Sequence, residues 1–291
     1  MGDERPAGVR LAAGPLACEI DPALGGCIRS FMAGTHGVLR RAPDALTTAR
    51  QSSSYPLVPY SNRIGGGVLH WQGRTWQLAL NNAPEPHAIH GIGWQLAWDV
   101  VSASPDRVEL FVRHAGDDRW PFAFESRQVL TLTPGALDLA LSVTNTDQQT
   151  VPVGLGWHPF FTKRPGARAQ VRTQARWEMG PDKLPTTRID HAGIDGGIDA
   201  LDVDHCFDGW DRVALLEDDV LQVRLTSALR HIIVFTTPSR DAIAIEPVSH
   251  VNNVYGAPVA APGASAGSRG AMSLGPGATF SASMRIEVRA K

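Results

Sequence analysis

The chain has 291 residues, 43% of them hydrophobic, with 27 Lys+Arg against 29 Asp+Glu and a formal net charge of −2. This composition supports a sizeable core and excludes disorder as the default state. The near-zero balance argues against nucleic acid or an anionic membrane as the main partner, since both require a basic excess.

Three cysteines, Cys18, Cys27 and Cys206, are too few for a disulfide-dense secreted scaffold and suit a reducing compartment. No apolar run reaches the roughly 18 residues of a membrane-spanning helix. The start Met1-Gly2-Asp3-Glu4-Arg5-Pro6 carries acids where a signal peptide has lysines, so a cytoplasmic, soluble chain is expected.

Twenty-nine glycines and 21 prolines interrupt the chain too often for long helices. Between the breaks the segments are short and β-like. Val68 to Leu80 reads as two arms about a Gln72-Gly73-Arg74 turn, and Val108 to Val112 as a strand. In Arg127 to Asn145, Leu130 and Leu132 alternate with threonines, Pro134-Gly135 turns the chain, and Leu137, Leu139, Leu141 and Val143 alternate on the return. Val151 to Leu155, Val220 to Leu225, His231 to Thr236, Ala242 to Val248 and Thr279 to Val288 continue the pattern. Strands joined by hairpin-length turns without intervening helices pair antiparallel. The expectation is all-β: one domain over residues 1–291, a large antiparallel β-sandwich with one broad concave face. Gly256 to Gly277, rich in Ala, Gly, Pro and Ser, reads as a surface loop.

Five places interrupt this pattern with polar residues. In Tyr55 to Gly67, Arg63 follows two prolines and precedes three glycines, which suits either a fixed fork of donors for hydroxyl or carboxylate oxygens or an ordinary surface arginine. His87 and His90 lie three apart before Trp94 and Trp98. On a strand or loop that spacing does not converge two metal ligands, and no Glu-x-x-His or Cys-x-x-Cys completes a zinc set. A histidine beside a tryptophan suits a sugar better, with core packing as the other reading and the preferred one for Trp98. His158 stands between Trp157 and Pro159, which gives it a defined direction, although a buried structural histidine has the same signature. Glu246 interrupts the apolar alternation of Ala242 to Val248, where a carboxyl group is costly unless paired or tuned for acid–base work. Asp202 to Trp210 is acidic and aromatic, a set of sugar-hydroxyl acceptors or a polar turn.

Taken in order, Asn62-Arg63-Ile64, His90-Gly91, Trp157-His158-Pro159-Phe160-Phe161, Asp204-His205-Cys206-Phe207 and Glu246-Pro247 resemble the aldose 1-epimerase (mutarotase) family. Leu274-Gly275-Pro276-Gly277-Ala278-Thr279-Phe280 is similar to the segment entering that family's last strand. The likeness runs from about residue 55 to the end, and is nearest to a bacterial, epimerase-like branch. Val58-Pro59-Tyr60-Ser61 stands where galactose-pathway members carry a glycine-rich lead.

The resemblance implies the galactose mutarotase-like supersandwich with a sugar on its concave face. It implies Glu246 as general base and His158 as general acid, with Arg63, His90, Asp204, Asn62 and Trp94 holding the sugar. The expected reaction interconverts α and β anomers of an aldohexose or aldopentose by ring opening and closure. It places a carboxylate and an imidazolium on opposite sides of the anomeric centre and calls for neither metal nor cofactor. Two rivals share the fold: a hexose-6-phosphate 1-epimerase, which needs further cations such as Arg40, Arg41, Arg50 and Arg74 to converge, and a carbohydrate-binding protein without turnover. No oligomeric state follows from the sequence.

Overall fold

Alternating apolar and polar residues become strands throughout residues 8–256 and 267–291, the parts that the computed structural model describes. A nine-stranded sheet runs in the order Asp99–Ala103, Arg107–His114, Phe124–Thr133, Ala136–Asn145, Thr279–Ala290, Leu221–Ser227, Val213–Glu217, Arg168–Arg172, Gly193–Gly197. An eight-stranded sheet is built around Val203–Asp208, His231–Thr236 and Ala242–Val248. All pairings within both are antiparallel. A further four-stranded sheet comprises Val9–Ala13, Leu16–Asp21, Cys27–Ala33 and His36–Gly37. The described chain is thus the antiparallel, all-β sandwich that the periodicity predicts. No helix among the described residues is long and apolar enough to cross a membrane.

The period-2 residues define the core. Leu130 pairs with Leu139 and Leu132 with Leu137 across the Pro134-Gly135 turn, and all four are buried. They join Ile232, Val234, Ile243 and Ile245 of the other sheet in one cluster, each fully buried aliphatic side chain contributing about 1.5–3 kcal/mol. On the strand Ala242–Val248 the branched residues Ile243 and Ile245 face this core. Ala242, Ala244 and Val248 belong to a second, smaller apolar cluster with Cys206, Ile233, Phe160 and Trp177. Glu246 shares the parity of that second set, which places its carboxyl on the concave face.

Pairing continues the argument. Phe160 lies opposite Ala244 and Gly156 opposite Val248, so the same register puts His158 opposite Glu246. Between those two short strands the ladder is interrupted at His158-Pro159, beside Glu246-Pro247. Both prolines sit where no ladder donor is required. On the other side of Glu246, Ile233 pairs with it and Cys206 with Ile233, while Asp204 pairs with Phe235 two residues away on the same face.

Two expectations need correction. Asp202 to Trp210 is no polar turn, because Val203–Asp208 is a strand inside the eight-stranded sheet. The stretch from Gly256 to Gly277 is not wholly loop: Met272–Leu274 forms a short strand with Val151–Val153, and residues 257–266 lie outside the described parts. The Pro276-Gly277 turn leads into Thr279–Ala290 as the resemblance implied, with Gly277 at φ +74. Val9–Ala13, Leu16–Asp21, Arg168–Arg172 and Ala175–Met179 are strands that the sequence reading passed over.

Candidate active site

A cavity of about 520 Å³ opens on the concave face, and all seven residues singled out from the sequence line it: Asn62, Arg63, His90, Trp94, His158, Asp204 and Glu246. Tyr55, Phe160, Phe235, Glu85 and Arg240 are among the other lining residues. Trp98 instead lies in the core, with its indole N–H donating to the Gly93 carbonyl.

At the floor, His158 Nε2 is 3.2 Å from Glu246 Oε1, both side chains being buried. The remaining polar atoms of the pair, His158 Nδ1 and Glu246 Oε2, have no hydrogen-bond partner among the described residues. Burial pushes the Glu246 carboxyl well above its ordinary value, with Asp204 adding to the rise and Arg63 opposing it. Burial also holds His158 well below its ordinary value, reinforced by Arg40, Arg50 and Arg240. Both shifts disfavour charge on the buried pair. The geometry differs from the expected one in a single respect: the two groups adjoin instead of standing apart across a sugar.

His158 is fixed from several directions. Its ring stacks on Tyr55 at 4.9 Å and 24°, meets His90 edge-on at 5.2 Å and lies 4.3 Å from the Phe160 ring. Its backbone N–H donates to the Tyr55 carbonyl.

Asn62 and His90 both adopt left-handed backbone, φ +53 and +63, a conformation disfavoured for residues with a side chain. Reciprocal bonds hold them there: the Asn62 N–H donates to His90 Nδ1 at 3.1 Å, and the His90 N–H donates to the Asn62 carbonyl. Burial, with His158, Arg50 and Arg63 nearby, keeps His90 well below its ordinary pKa. A neutral ring that accepts at Nδ1 carries its proton on Nε2 and has one donor left. The following Gly91 is at φ +66, and a Cβ there would sit 2.2 Å from the Val58 carbonyl oxygen.

Arg63 is buried, not a surface arginine. Its guanidinium forks onto Glu85, with Nε 2.8 Å from Oε2 and Nη2 3.2 Å from Oε1. Lys183 and Asn82 also reach Glu85, and Arg63 with Lys183 lowers its carboxyl to about 2 despite the opposing effect of burial. Trp94 lines the cavity while its indole N–H donates to the Ile89 and Gly91 carbonyls, and the Arg50 guanidinium lies 6.0 Å from its ring centre.

Sequence reasoning missed Glu85, Tyr55 and Arg240. Glu85 had a signal, since Pro84 and Pro86 enclose it much as Pro159 restrains His158. Of the four arginines considered for a phosphate, Arg40 and Arg50 line the cavity. Arg41 pairs with Asp44 at the surface, and Arg74 lies over Trp76. His87 is spent on structure, accepting from the Gly66 N–H and contacting the Asp182 carbonyl.

A large antiparallel sandwich of this kind is the galactose mutarotase-like fold. Residues 20–287 match the family model for aldose 1-epimerase, and the chain belongs to that family. It is 37% identical over 153 residues to the uncharacterized protein YphB of Escherichia coli (strain K12), a match spanning 53% of this chain and about half (51%) of that protein. It is 25% identical over 264 residues to YihR of the same organism, 85% of each chain. Among solved structures, a candidate aldose 1-epimerase from E. coli K12 superposes with a TM-score of 0.88 at 26% identity, covering 98% of this chain and 99% of the other. The fold is also shared with a galactose mutarotase-like protein of Clostridium acetobutylicum, with a TM-score of 0.85 at 19% identity over 98% and 95% of the two chains.

Two stability predictions follow from this geometry. Gly91→Ala, strained in backbone and colliding with Val58, should cost about 2 kcal/mol or more, read from the urea midpoint at unchanged m-value. For Glu246, the raised native pKa means that folded and unfolded chains are alike below the ordinary value of 4.5. As pH rises, the unfolded chain ionises first, and stability is lost until the native value is passed. Glu246→Gln should therefore melt above the wild type, with a gap that widens between pH 4.5 and pH 8 by about 2–4 °C per kcal/mol. A constant gap across that range would show that the carboxyl is not held neutral.

Proposed function

We propose that the protein is a cofactor-independent aldose 1-epimerase, a mutarotase interconverting the α and β anomers of an aldose. The observation carrying this reading is the 3.2 Å contact between His158 and Glu246 at the floor of the cavity, each with one polar atom left over. Opening a pyranose removes a proton from the hydroxyl oxygen on C1 and delivers one to the ring oxygen. Both oxygens are bonded to the same carbon, so the groups that serve them must be neighbours, as these two are.

The pair holds one proton between its members. Transfer across the contact gives the working carboxylate and imidazolium. Glu246 then takes the C1 hydroxyl proton while His158 protonates the ring oxygen, and the C1–ring oxygen bond breaks to leave the open aldehyde. Rotation about C1–C2 presents the other face, and the roles reverse on closure. Arg63, braced by Glu85, and the remaining Nε2–H of His90 are assigned to the sugar oxygens, with Asp204 and Asn62 accepting from hydroxyls and Trp94 bounding the cleft. The three cysteines are free and buried, which supports placement in a reducing compartment such as the cytoplasm.

Glu246→Gln and His158→Asn should each lower kcat about 100- to 10,000-fold with the fold intact, measured by anomer-exchange NMR or polarimetry on freshly dissolved aldoses. Mutarotation at the wild-type rate in either variant removes the assignment. In the wild type, kcat/KM should trace a bell. Its acid limb lies below the ordinary histidine value of 6.5, because His158 is lowered. Its alkaline limb lies above the ordinary glutamate value of 4.5, because Glu246 is raised. Arg63→Ala should raise KM about tenfold or more, the worth of one charge-assisted hydrogen bond. Glu85→Gln should do so less, by loosening the guanidinium it braces. An unchanged KM in Arg63→Ala would overturn that role.

A further inference from the structure

The charge of the cleft does not match that of the molecule. Five cationic side chains line it, Arg40, Arg50, Arg63, Lys183 and Arg240, against the carboxyls of Glu85, Asp204 and Glu246, in a chain whose formal net charge is −2. Glu85 pairs with both Arg63 and Lys183. The other three have no such partner: among the described residues, none of Arg40, Arg50 and Arg240 has a carboxylate within ion-pair distance. Asp241 acts on Arg40 only at longer range.

These guanidiniums are also held in place. Arg40 donates from Nε and Nη2 to the Ser52 carbonyl at 3.0 and 2.9 Å and from Nη2 to the Arg50 carbonyl at 3.0 Å, with its plane 3.5 Å over the centre of Phe160. No hydrogen bond is spent from its Nη1 among the described residues. Arg50 donates to the Asn82 side-chain oxygen, and Asn82 in turn donates to Glu85. Arg240 lies 4.4 Å over Phe235. The aromatic face under Arg240 leaves its N–H edges for a ligand, and Arg40 keeps Nη1 for one. Three like charges around one cleft repel, and that cost is repaid only when an anion joins them. A neutral hydroxyl is served by a single donor and needs no such wall, whereas the planar fork of arginine fits the paired oxygens of a carboxylate, phosphate or sulfate.

Building on the mutarotase reading, we propose that the substrate is an acidic aldose, a sugar bearing a fixed oxyanion that the Arg40–Arg50–Arg240 wall recognises. Burial sets the His158 imidazole below its ordinary value, and the same three charges push it further down. An arriving oxyanion offsets them, so the substrate itself favours the imidazolium that the ring-opening step uses.

The test measures Kd by calorimetry and anomer exchange by NMR for D-glucose, D-glucose 6-phosphate, D-glucose 6-sulfate and D-glucuronate, with inorganic phosphate and sulfate as sugar-free controls. At least one charged sugar should bind about tenfold or more tighter than glucose. Its preference over glucose should fall about tenfold in Arg240→Ala and return in Arg240→Lys. Which sugar leads distinguishes a dianionic tetrahedral, a monoanionic tetrahedral and a planar headgroup. Equal Kd values for charged and neutral sugars, or an Arg240→Ala change that lowers both alike, overturn the proposal. Tight binding of a charged sugar without anomer exchange leaves the proposal standing and removes the mutarotase reading.

Discussion

A carboxyl group in the middle of a strand that is buried along its whole length has two ways to exist: neutral, or with a proton donor in contact. Glu246 has both. Its strand is buried from Ala242 to Val248, and His158 meets it at 3.2 Å. The rest of the site is arranged around that constraint. The ladder is interrupted at His158-Pro159 so that an imidazole replaces a backbone partner, Tyr55 and Phe160 flank the ring, and Asp204 adds negative charge on the side away from it. Burying such a pair is expensive unless the two members satisfy each other. A protein that keeps one without using its proton-handling capacity would gain from apolar substitution.

The fold was legible where one face of a strand is wet. Leu137, Leu139, Leu141 and Val143 alternate with polar residues because their sheet carries the core on one side and solvent on the other, and His231–Thr236 and Ala242–Val248 are bounded as read. Val9–Ala13 and Leu16–Asp21 escaped notice although Leu11, Leu16, Cys18 and Ile20 are buried alternately about Gly14-Pro15. Their arms are short, and charged residues share them with the apolar ones. Arg168–Arg172 presents only Ala169 and Val171 to the core, too weak a period to stand out.

Within the site, Arg63, His90, Trp94, His158 and Glu246 carried a local sign, a proline or glycine nearby or a polar residue in an apolar run, whereas Asn62 and Asp204 rested on the family resemblance. What sequence could not convey was register. That His158 falls opposite Glu246 follows from Gly156 meeting Val248 and Phe160 meeting Ala244, a long-range fact with no trace in either segment alone. For the same reason the expected opposed pair became an adjoining one. Arg40 and Arg50 share one connecting segment, but Arg240 comes from a distant one, so its convergence with them is a property of the tertiary structure alone.

The cleft divides its parts between two kinds of scaffold. Glu246 stands on a sheet strand and His158 in the break beside it, with their placement fixed by ladder pairing on either side. Arg40, Arg50 and Arg240 lie outside the strands, on connecting segments. A one-residue slip of a central strand would invert its faces and unfold the core, whereas a connecting segment tolerates insertion and exchange. The floor is therefore frozen while the rim is free to drift. Descendants of one ancestral chain would keep the same reaction while their ligands diverge, and kinship inferred from the floor alone is a poor guide to diet.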